Sequence, residues 1–168
     1  ARIDVYNSAT SKNYINYSTI SRCVEVNYGS FNVLGLTNGK ILLPSTNISM
    51  NKCRQRPAMY CLSHSDSSSI ICSLSYTSIV DNNSTEENCI MFAGGGSKSE
   101  IKCCNILRNN DVSLNGRGTI YTAGNTMIED SCILENNATY IFYQGSSYTI
   151  TLSNCTVDKT TRYRSLII

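Results

Sequence analysis

The chain has 168 residues, a formal net charge of +2 and only 15% charged residues, which disfavours nucleic acid or an anionic membrane as its partner. Serine, threonine and asparagine make up about a third of it, a composition typical of strands joined by polar corners. With 41% hydrophobic residues, the chain has enough apolar material to form a packed core. No apolar run approaches roughly 18 residues, so we predict no membrane span.

The first predicted element is an irregular segment over residues 1–30, interpreted as an N-terminal cap or an incomplete coil. It opens with an alternating stretch containing Ile3, Val5 and Tyr6, which predicts a strand able to add to a neighbouring sheet. The chain begins with alanine and contains no signal-like hydrophobic segment. We therefore expect it to be a mature or excised piece whose targeting segment is absent.

A two-part phrase recurs over residues 31–160. Its first part is a short apolar strand ending in small or turn-forming residues, and its second part is a polar-edged strand with isoleucine and cysteine that runs into an asparagine-rich corner. The first part occupies 32–39, 60–67, 89–96, 119–125 and 140–147, and the second occupies 99–110, 126–137 and 148–159. The anchor residues Leu62, Ile90, Ile120 and Ile141 lie 28, 30 and 21 residues apart. A period of this size indicates a solenoid, in which each coil buries its apolar face against the next.

The repeat predicts one all-β domain over residues 1–168, a parallel β-helix of about five coils followed by a C-terminal strand at 161–168. Matched phrase positions predict two apolar stacks inside it. The first contains Ile90, Ile120 and Ile141, and the second contains Leu107, Leu134 and Val157. An antiparallel sandwich is the alternative. No window carries a sustained helical period, so helix should be scarce.

Nine cysteines are best explained by disulfides in an oxidising compartment. Zinc is disfavoured, because no CxxC pair exists and the only histidine, His64, lies in a Ser/Asp-rich turn where a solvated side chain is expected. We predict no metal, cofactor or catalytic residue. Coils about 4.8 Å apart allow disulfides between equivalent positions of neighbouring coils. The predicted pairs are Cys61–Cys89 and Cys132–Cys155, then Cys23–Cys53 and Cys72 with either Cys103 or Cys104. The odd count leaves at least one thiol unpaired or bonded to another chain.

Six Asn-X-Ser/Thr sequons predict N-glycosylation and the same compartment. Their acceptors are Asn16, Asn47, Asn82, Asn83, Asn137 and Asn154. About four sequons are expected by chance at this composition, so their coincidence with predicted turns carries more weight than their number.

The order of strand, glycine turn, strand with isoleucine and cysteine, and asparagine resembles the right-handed parallel β-helix proteins. It is especially similar to cysteine- and asparagine-rich surface proteins of microbial eukaryotes, and more distantly to polymorphic outer-membrane protein repeats. The outer-membrane repeats carry a GGA tetrapeptide, whereas the nearest match here is the Gly-Gly-Gly-Ser of residues 94–97. The resemblance implies extracellular or cell-surface display, adhesion or fibre formation.

Three functions follow from these patterns. The first is a secreted, glycosylated structural protein, not an enzyme, that self-associates into a fibre or surface coat through its two ends. The end residues are Ile3, Val5 and Tyr6 at one end and Leu166, Ile167 and Ile168 at the other. The second is a carbohydrate-binding adhesin using exposed rings, with Tyr121, Tyr140, Tyr143 and Tyr148 as candidates. The third is a polysaccharide lyase or glycoside hydrolase, whose chemistry needs clustered carboxylates. We interpret Glu100, Lys102 and Glu129 instead as a solvated face.

Overall fold

The computed structural model describes residues 2–6, 12–25, 33–63, 71–94, 96–113, 116–145 and 147–168. These residues form short parallel strands stacked as a β-solenoid of about five turns, and no helix occurs among them. The predicted parallel β-helix is therefore confirmed. The antiparallel alternative is wrong, because Ile90–Ala93 and Ile120–Thr122 pair in parallel.

The chain runs through the strands coil by coil. The first two coils contain β1 Arg2–Tyr6, β2 Lys12–Tyr14, β3 Thr19–Ser21, β4 Val33–Asn38, β5 Lys40–Pro44, β6 Asn47–Ser49 and β7 Lys52–Cys53. The next two contain β8 Met59–Ser63, β9 Ile71–Ser75, β10 Ser78–Val80, β11 Asn83–Ser84, β12 Ile90–Ala93, β13 Lys98–Lys102, β14 Asn105–Leu107 and β15 Asn110–Asp111. The remainder contain β16 Ile120–Thr122, β17 Thr126–Glu129, β18 Cys132–Leu134, β19 Phe142–Gln144, β20 Ile150–Ser153, β21 Thr156–Val157, β22 Arg162–Tyr163 and β23 Leu166–Ile167.

Equivalent strands of successive coils form four sheets that run along the solenoid. Sheet A contains β1, β4, β8, β12, β16, β19 and β22, and sheet B contains β2, β5, β9, β13, β17, β20 and β23. Sheet C contains β3, β6, β10, β14, β18 and β21, and the smaller sheet D contains β7, β11 and β15. Each coil therefore contacts only the coils above and below it, as the periodic sequence requires.

Stacks of apolar side chains fill the lumen, but both predicted stacks differ in part from the observed rows. In sheet A, Ile90 pairs with Ile120 as predicted, whereas the next residue in the row is Phe142 and not Ile141. In sheet C the inward row contains the buried Ile48, Ile79, Ile106 and Ile133 and ends in the half-buried Val157. Leu107 and Leu134 pair with each other but are only half-buried on the opposite face.

Two corners of the coil are made by single residues in the left-handed conformation. The corner between sheets B and C has positive φ at Tyr17, Ser45, Tyr76, Cys103, Asp130 and Asn154. The corner after sheet C has positive φ at Arg22, Met50, Asp81, Arg108 and Glu135. None is glycine, so each costs about 1–2 kcal/mol relative to a right-handed residue. Side-chain hydrogen bonds from the residue that follows each corner offset this energy.

In every described coil, the residue that follows the first corner has a small hydroxyl or thiol side chain. These residues are Ser18, Thr46, Thr77, Cys104, Ser131 and Cys155, and each donates to the carbonyl two residues upstream. Two of the hydroxyl oxygens, those of Thr77 and Ser131, also accept from a backbone N–H of the preceding coil. The backbone N–H of Cys104, for example, donates to Ser131 Oγ at 3.0 Å. We call this row the hydroxyl ladder.

After the second corner, four coils place a fully buried asparagine: Asn51, Asn82, Asn109 and Asn136. We call this row the asparagine ladder. The backbone N–H of Asn82 donates to Asn109 Oδ1 at 3.1 Å, while Asn109 Nδ2 donates to the Ile79 carbonyl at 2.9 Å. The same amide also donates to Asn136 Oδ1 at 3.0 Å. Because a buried backbone group without a partner is destabilising, this ladder makes the tight corner possible.

Candidate functional site

The outer face of sheet A carries a row of tyrosines that we call the tyrosine ladder. Tyr121, Tyr143 and Tyr163 occupy equivalent positions of three successive coils. The first two rings stack with centroids 5.6 Å apart, and the second and third with centroids 4.5 Å apart. Tyr140 packs edge-on against two of them, with centroids 5.8 Å from each. Each stacked pair stabilises the solenoid by about 0.5–1.5 kcal/mol beyond its buried area.

This stacking bears on the carbohydrate-binding alternative. A sugar ring packs on the flat face of an aromatic ring, but the ladder turns those faces toward each other along the solenoid. The guanidinium groups of Arg117 and Arg164 lie over the rings at the two ends of the stack, each 5.4 Å from a ring centroid. The ring edges and hydroxyls are what the ladder offers to solvent. The geometry favours a structural role for these tyrosines over a sugar platform.

Several charged residues form ion pairs between neighbouring coils. The pairs are Arg54 with Glu86, Arg56 with Glu87, Lys102 with Glu129, and Arg108 with Asp81. Glu100 and Glu129, the carboxylates relevant to a hydrolase, line one shallow groove on sheet B. There Lys102 Nζ lies 3.1 Å from a Glu129 oxygen. Glu100 is exposed beside this salt bridge.

One carboxyl group, that of Asp111, is buried at the end of the sheet D row formed by Cys53, Ser84 and Asp111. The Ser113 N–H donates to its Oδ1 at 3.2 Å, whereas its Oδ2 has no hydrogen-bond partner among the described residues. A side chain at Gly116 would collide with this carboxyl group, so glycine permits the loop to cover it. Burial raises the pKa of Asp111 to about 6, against the lowering effect of the Ser113 and Gly118 N–H groups.

Because its pKa is raised, Asp111 should make the stability of the chain depend on pH. The pKa of Asp111 is about 6 in the folded chain and 3.8 for the unperturbed group, so the folded state binds the proton more tightly between those values. The Asp111 contribution to the free energy of unfolding therefore falls as pH rises from about 4 to about 6, and is constant above that range. We expect Asp111→Asn to remove this slope and to stabilise the chain at pH 7 by about 3 kcal/mol.

Urea unfolding at pH 4, 5, 6 and 7 measures the effect as a difference between the variant and the wild type. Because Asp111→Asn creates an Asn-Val-Ser sequon, both proteins should come from a host without N-glycosylation. Glu100→Gln, at an exposed position, is the control and should leave the slope unchanged. An unchanged slope in the Asp111 variant would show that another group carries the pH dependence.

The structure does not place the predicted disulfide partners at equivalent positions of neighbouring coils. Cys61 pairs in register with Phe92, and Cys132 with Thr156. The Cys23 N–H donates to the Asn51 side chain, and Cys72 pairs with Ser99. No two of the nine sulfurs lie at bonding distance. Phrase matching therefore placed Cys89 three residues from the true neighbour of Cys61 and Cys155 one residue from that of Cys132, so the register behind these two pairings is wrong. None of the four predicted pairs is confirmed.

The sequon asparagines differ in their access to solvent. Asn16, Asn47, Asn137 and Asn154 are exposed and Asn83 is half-buried. Asn82 is fully buried in the asparagine ladder, where its Nδ2 donates to the Ile48 carbonyl at 2.9 Å. A glycan must bond to that same nitrogen, so the prediction of Asn82 as an acceptor is incompatible with the folded chain. Glycosylation at the other five positions stays a prediction.

The predicted end residues lie on terminal rungs. Ile3, Val5 and Tyr6 belong to β1, which pairs with β4. Leu166 and Ile167 belong to β23, with Leu166 packed against the core and Ile167 and Ile168 exposed. His64 lies outside the described residues. Tyr148 is half-buried.

The sequence analysis did not predict the hydrogen bonds of the asparagine ladder, the burial of Asp111 or the stacking of Tyr163. A signal for the first exists, because Ile-x-x-Asn recurs at 48–51, 79–82, 106–109 and 133–136. Tyr163 could have been aligned with Tyr143 had the register of β22 been known. Asp111 has no local signal, since its burial depends on the loop that covers it.

Comparison of the chain with protein-family models, with curated proteins and with solved structures finds no match. Within the part of the chain that the structure describes, no helix has the length and hydropathy needed to cross a membrane. Those residues also bring no three His, Cys, Asp or Glu side chains together as a potential metal site. Any functional proposal must therefore come from the geometry itself.

Proposed function

We propose that this chain is a structural solenoid, secreted and N-glycosylated, that works by stacking end to end with further copies of itself. The observation that carries the proposal is the pair of open rungs in the described chain. On one rung, β1, β2 and β3 pair with a neighbour on one side only, and on the other, β21, β22 and β23 do the same. Unpaired backbone N–H and C=O groups at a sheet edge attract another strand.

The two open rungs complement each other. All strand pairs are parallel, so a second copy placed head to tail continues sheets A, B and C without reversing any strand. Such a contact joins different surfaces of the two copies and does not close on itself, which is the geometry of a filament.

Exposed apolar side chains also favour the two terminal rungs as the contact surfaces. Large exposed hydrophobic residues are concentrated on the terminal coils: Tyr14, Tyr17 and Val24 at one end, and Tyr163, Ile167 and Ile168 at the other. Stacking would bury them, and the ladders of the interior would continue across the junction. The ion-paired lateral faces and exposed glycan acceptors would keep the sides of the filament soluble.

Charge placed on an open rung tests the proposal. We expect Ile167→Lys to abolish concentration-dependent association, because a charged side chain would replace apolar surface that stacking buries on β23. Val112→Lys is the matched control, since Val112 is 56% exposed and Ile167 is 55% exposed, but Val112 is not on a terminal rung. Sedimentation velocity over a concentration series would show oligomers for the wild type and the control, and monomer for the Ile167 variant.

Two results would contradict the proposal. One is a wild-type chain that sediments as a single monomer at every concentration with its termini intact. The other is native material in which further coils of the same polypeptide cover these rungs, detected by intact mass after deglycosylation. The second result would replace association between copies by continuation within one chain.

A further inference from the structure

Two buried cysteines lie on successive strands of one coil. Cys61 lies on β8 of sheet A and Cys72 on β9 of sheet B, with exposed fractions of 4% and 3%. In the preceding coil the same two positions hold Leu34 and Ile41. The coil therefore replaces an apolar pair by two thiols at the inner corner between the sheets.

Both side chains belong to the same buried core cluster, and the Cys61 thiol is near enough to Cys72 to perturb it. The thiols whose hydrogen bonds are defined donate instead to backbone carbonyls. Those thiols are Cys23 to Ser21, Cys53 to Gln55, Cys89 to Asn110, Cys104 to Lys102 and Cys155 to Ser153. Burial, reinforced by the Cys61 thiol, raises the pKa of Cys72 well above its ordinary value. The thiolate needed for disulfide exchange therefore forms before the coil closes.

We propose that Cys61 and Cys72 form a disulfide within one coil, which ties sheet A to sheet B during oxidative folding. The oxidant is a small disulfide such as oxidised glutathione. One protein thiolate attacks it and releases one glutathione thiolate, and the second protein thiolate then displaces the other. The two protein sulfurs lose two electrons and two protons, and the oxidant becomes two thiols.

The pairing changes how a disulfide stabilises this solenoid. The pairs expected from sequence would have joined one coil to the next, whereas this one closes the short segment 61–72 inside a coil. Once formed it is buried beneath the layer that contains Phe92 and Ser99, out of reach of solvent reductants. This disulfide needs the oxidising compartment that the proposed function also assumes, but it does not require self-association.

Refolding the purified chain in a glutathione buffer tests the pairing without reference to its compartment or assembly. After remaining thiols are alkylated in denaturant, combined trypsin and Asp-N digestion separates the three relevant cysteines. They fall in peptides 55–65, 66–80 and 81–98, because the bond between Arg56 and Pro57 resists trypsin. We expect 55–65 joined to 66–80, lighter by two hydrogens than the sum of the two peptides. Alkylated Cys61 and Cys72, or 55–65 joined to 81–98 through Cys89, would overturn the proposal.

Counting alkylated thiols in the intact chain provides a second measurement that does not depend on digestion. If the disulfide exists, the double variant Cys61→Ala/Cys72→Ala carries as many alkyl groups as the wild type. If the two residues are thiols, the variant carries two fewer, which overturns the pairing. Cys104→Ala, a buried thiol that donates to a carbonyl, is the control and should lose one alkyl group.

Discussion

Replacing Asn109 by alanine is expected to lower the free energy of unfolding by about 3–5 kcal/mol. The Asn109 amide is fully buried and completes the corner of the coil before it. Its loss leaves the Asn82 N–H and the Ile79 carbonyl without these partners, in a corner that already holds a left-handed residue at Asp81. Each buried group left unsatisfied costs about 1–3 kcal/mol. Urea unfolding followed by far-ultraviolet circular dichroism measures the change.

The neighbouring asparagine Asn105 supplies the matched control. It lies on β14 of the same coil with its side chain exposed. Asn105→Ala should therefore change the free energy of unfolding by no more than about 0.5 kcal/mol. Equal effects of the two substitutions would contradict a structural role for the asparagine ladder.

Replacing Ile106 by alanine is expected to destabilise the chain by about 3–4 kcal/mol. Ile106 is fully buried between Ile79 and Ile133 in the stack beneath sheet C. The rigid rows above and below hold the backbone in place, so the lumen cannot collapse fully into the space left by the side chain. A cavity term is then added to the lost burial of the side chain.

Leu107→Ala is the comparison that fixes the register. Leu107 is half-buried on the opposite face, so its truncation should cost about 1 kcal/mol. If Leu107→Ala proves the more damaging substitution, the phrase-based stack of Leu107, Leu134 and Val157 describes the core better than the row through Ile106.

The sequence was sufficient to predict a parallel solenoid and its approximate coil number, because the strand phrase recurs every 21 to 30 residues over most of the chain. It was insufficient to choose between adjacent apolar residues. Ile106-Leu107, Ile133-Leu134 and Ile141-Phe142 each offer two candidates for one inward position. Left-handed corner residues decide which one points inward. They include tyrosine, arginine, aspartate, methionine and cysteine, so residue type carries little signal for their conformation.

The same limit explains the errors at the cysteines. A one-residue change at a corner moves every following side chain to the other face of its strand. Phrase alignment therefore paired Cys61 with Cys89, although Phe92 is its neighbour in the next coil. The proximity of Cys61 to Cys72 depends on how two sheets converge within one coil, which linear spacing does not encode. Asp111 poses the same difficulty, because its raised pKa comes from burial and not from its immediate neighbours in the sequence.

Both side-chain ladders have a direction. Asn82 donates back to Ile48, Asn109 back to Ile79 and Asn136 back to Ile106, and the hydroxyl of Thr77 donates back to Leu43. In each case a downstream side chain completes the backbone of the coil made before it. A ribosome delivers the chain in the same order, so each emerging coil can close its predecessor without waiting for the distant end of the protein. The polarity of these bonds thus allows the molecule to fold vectorially, at the pace of its own synthesis.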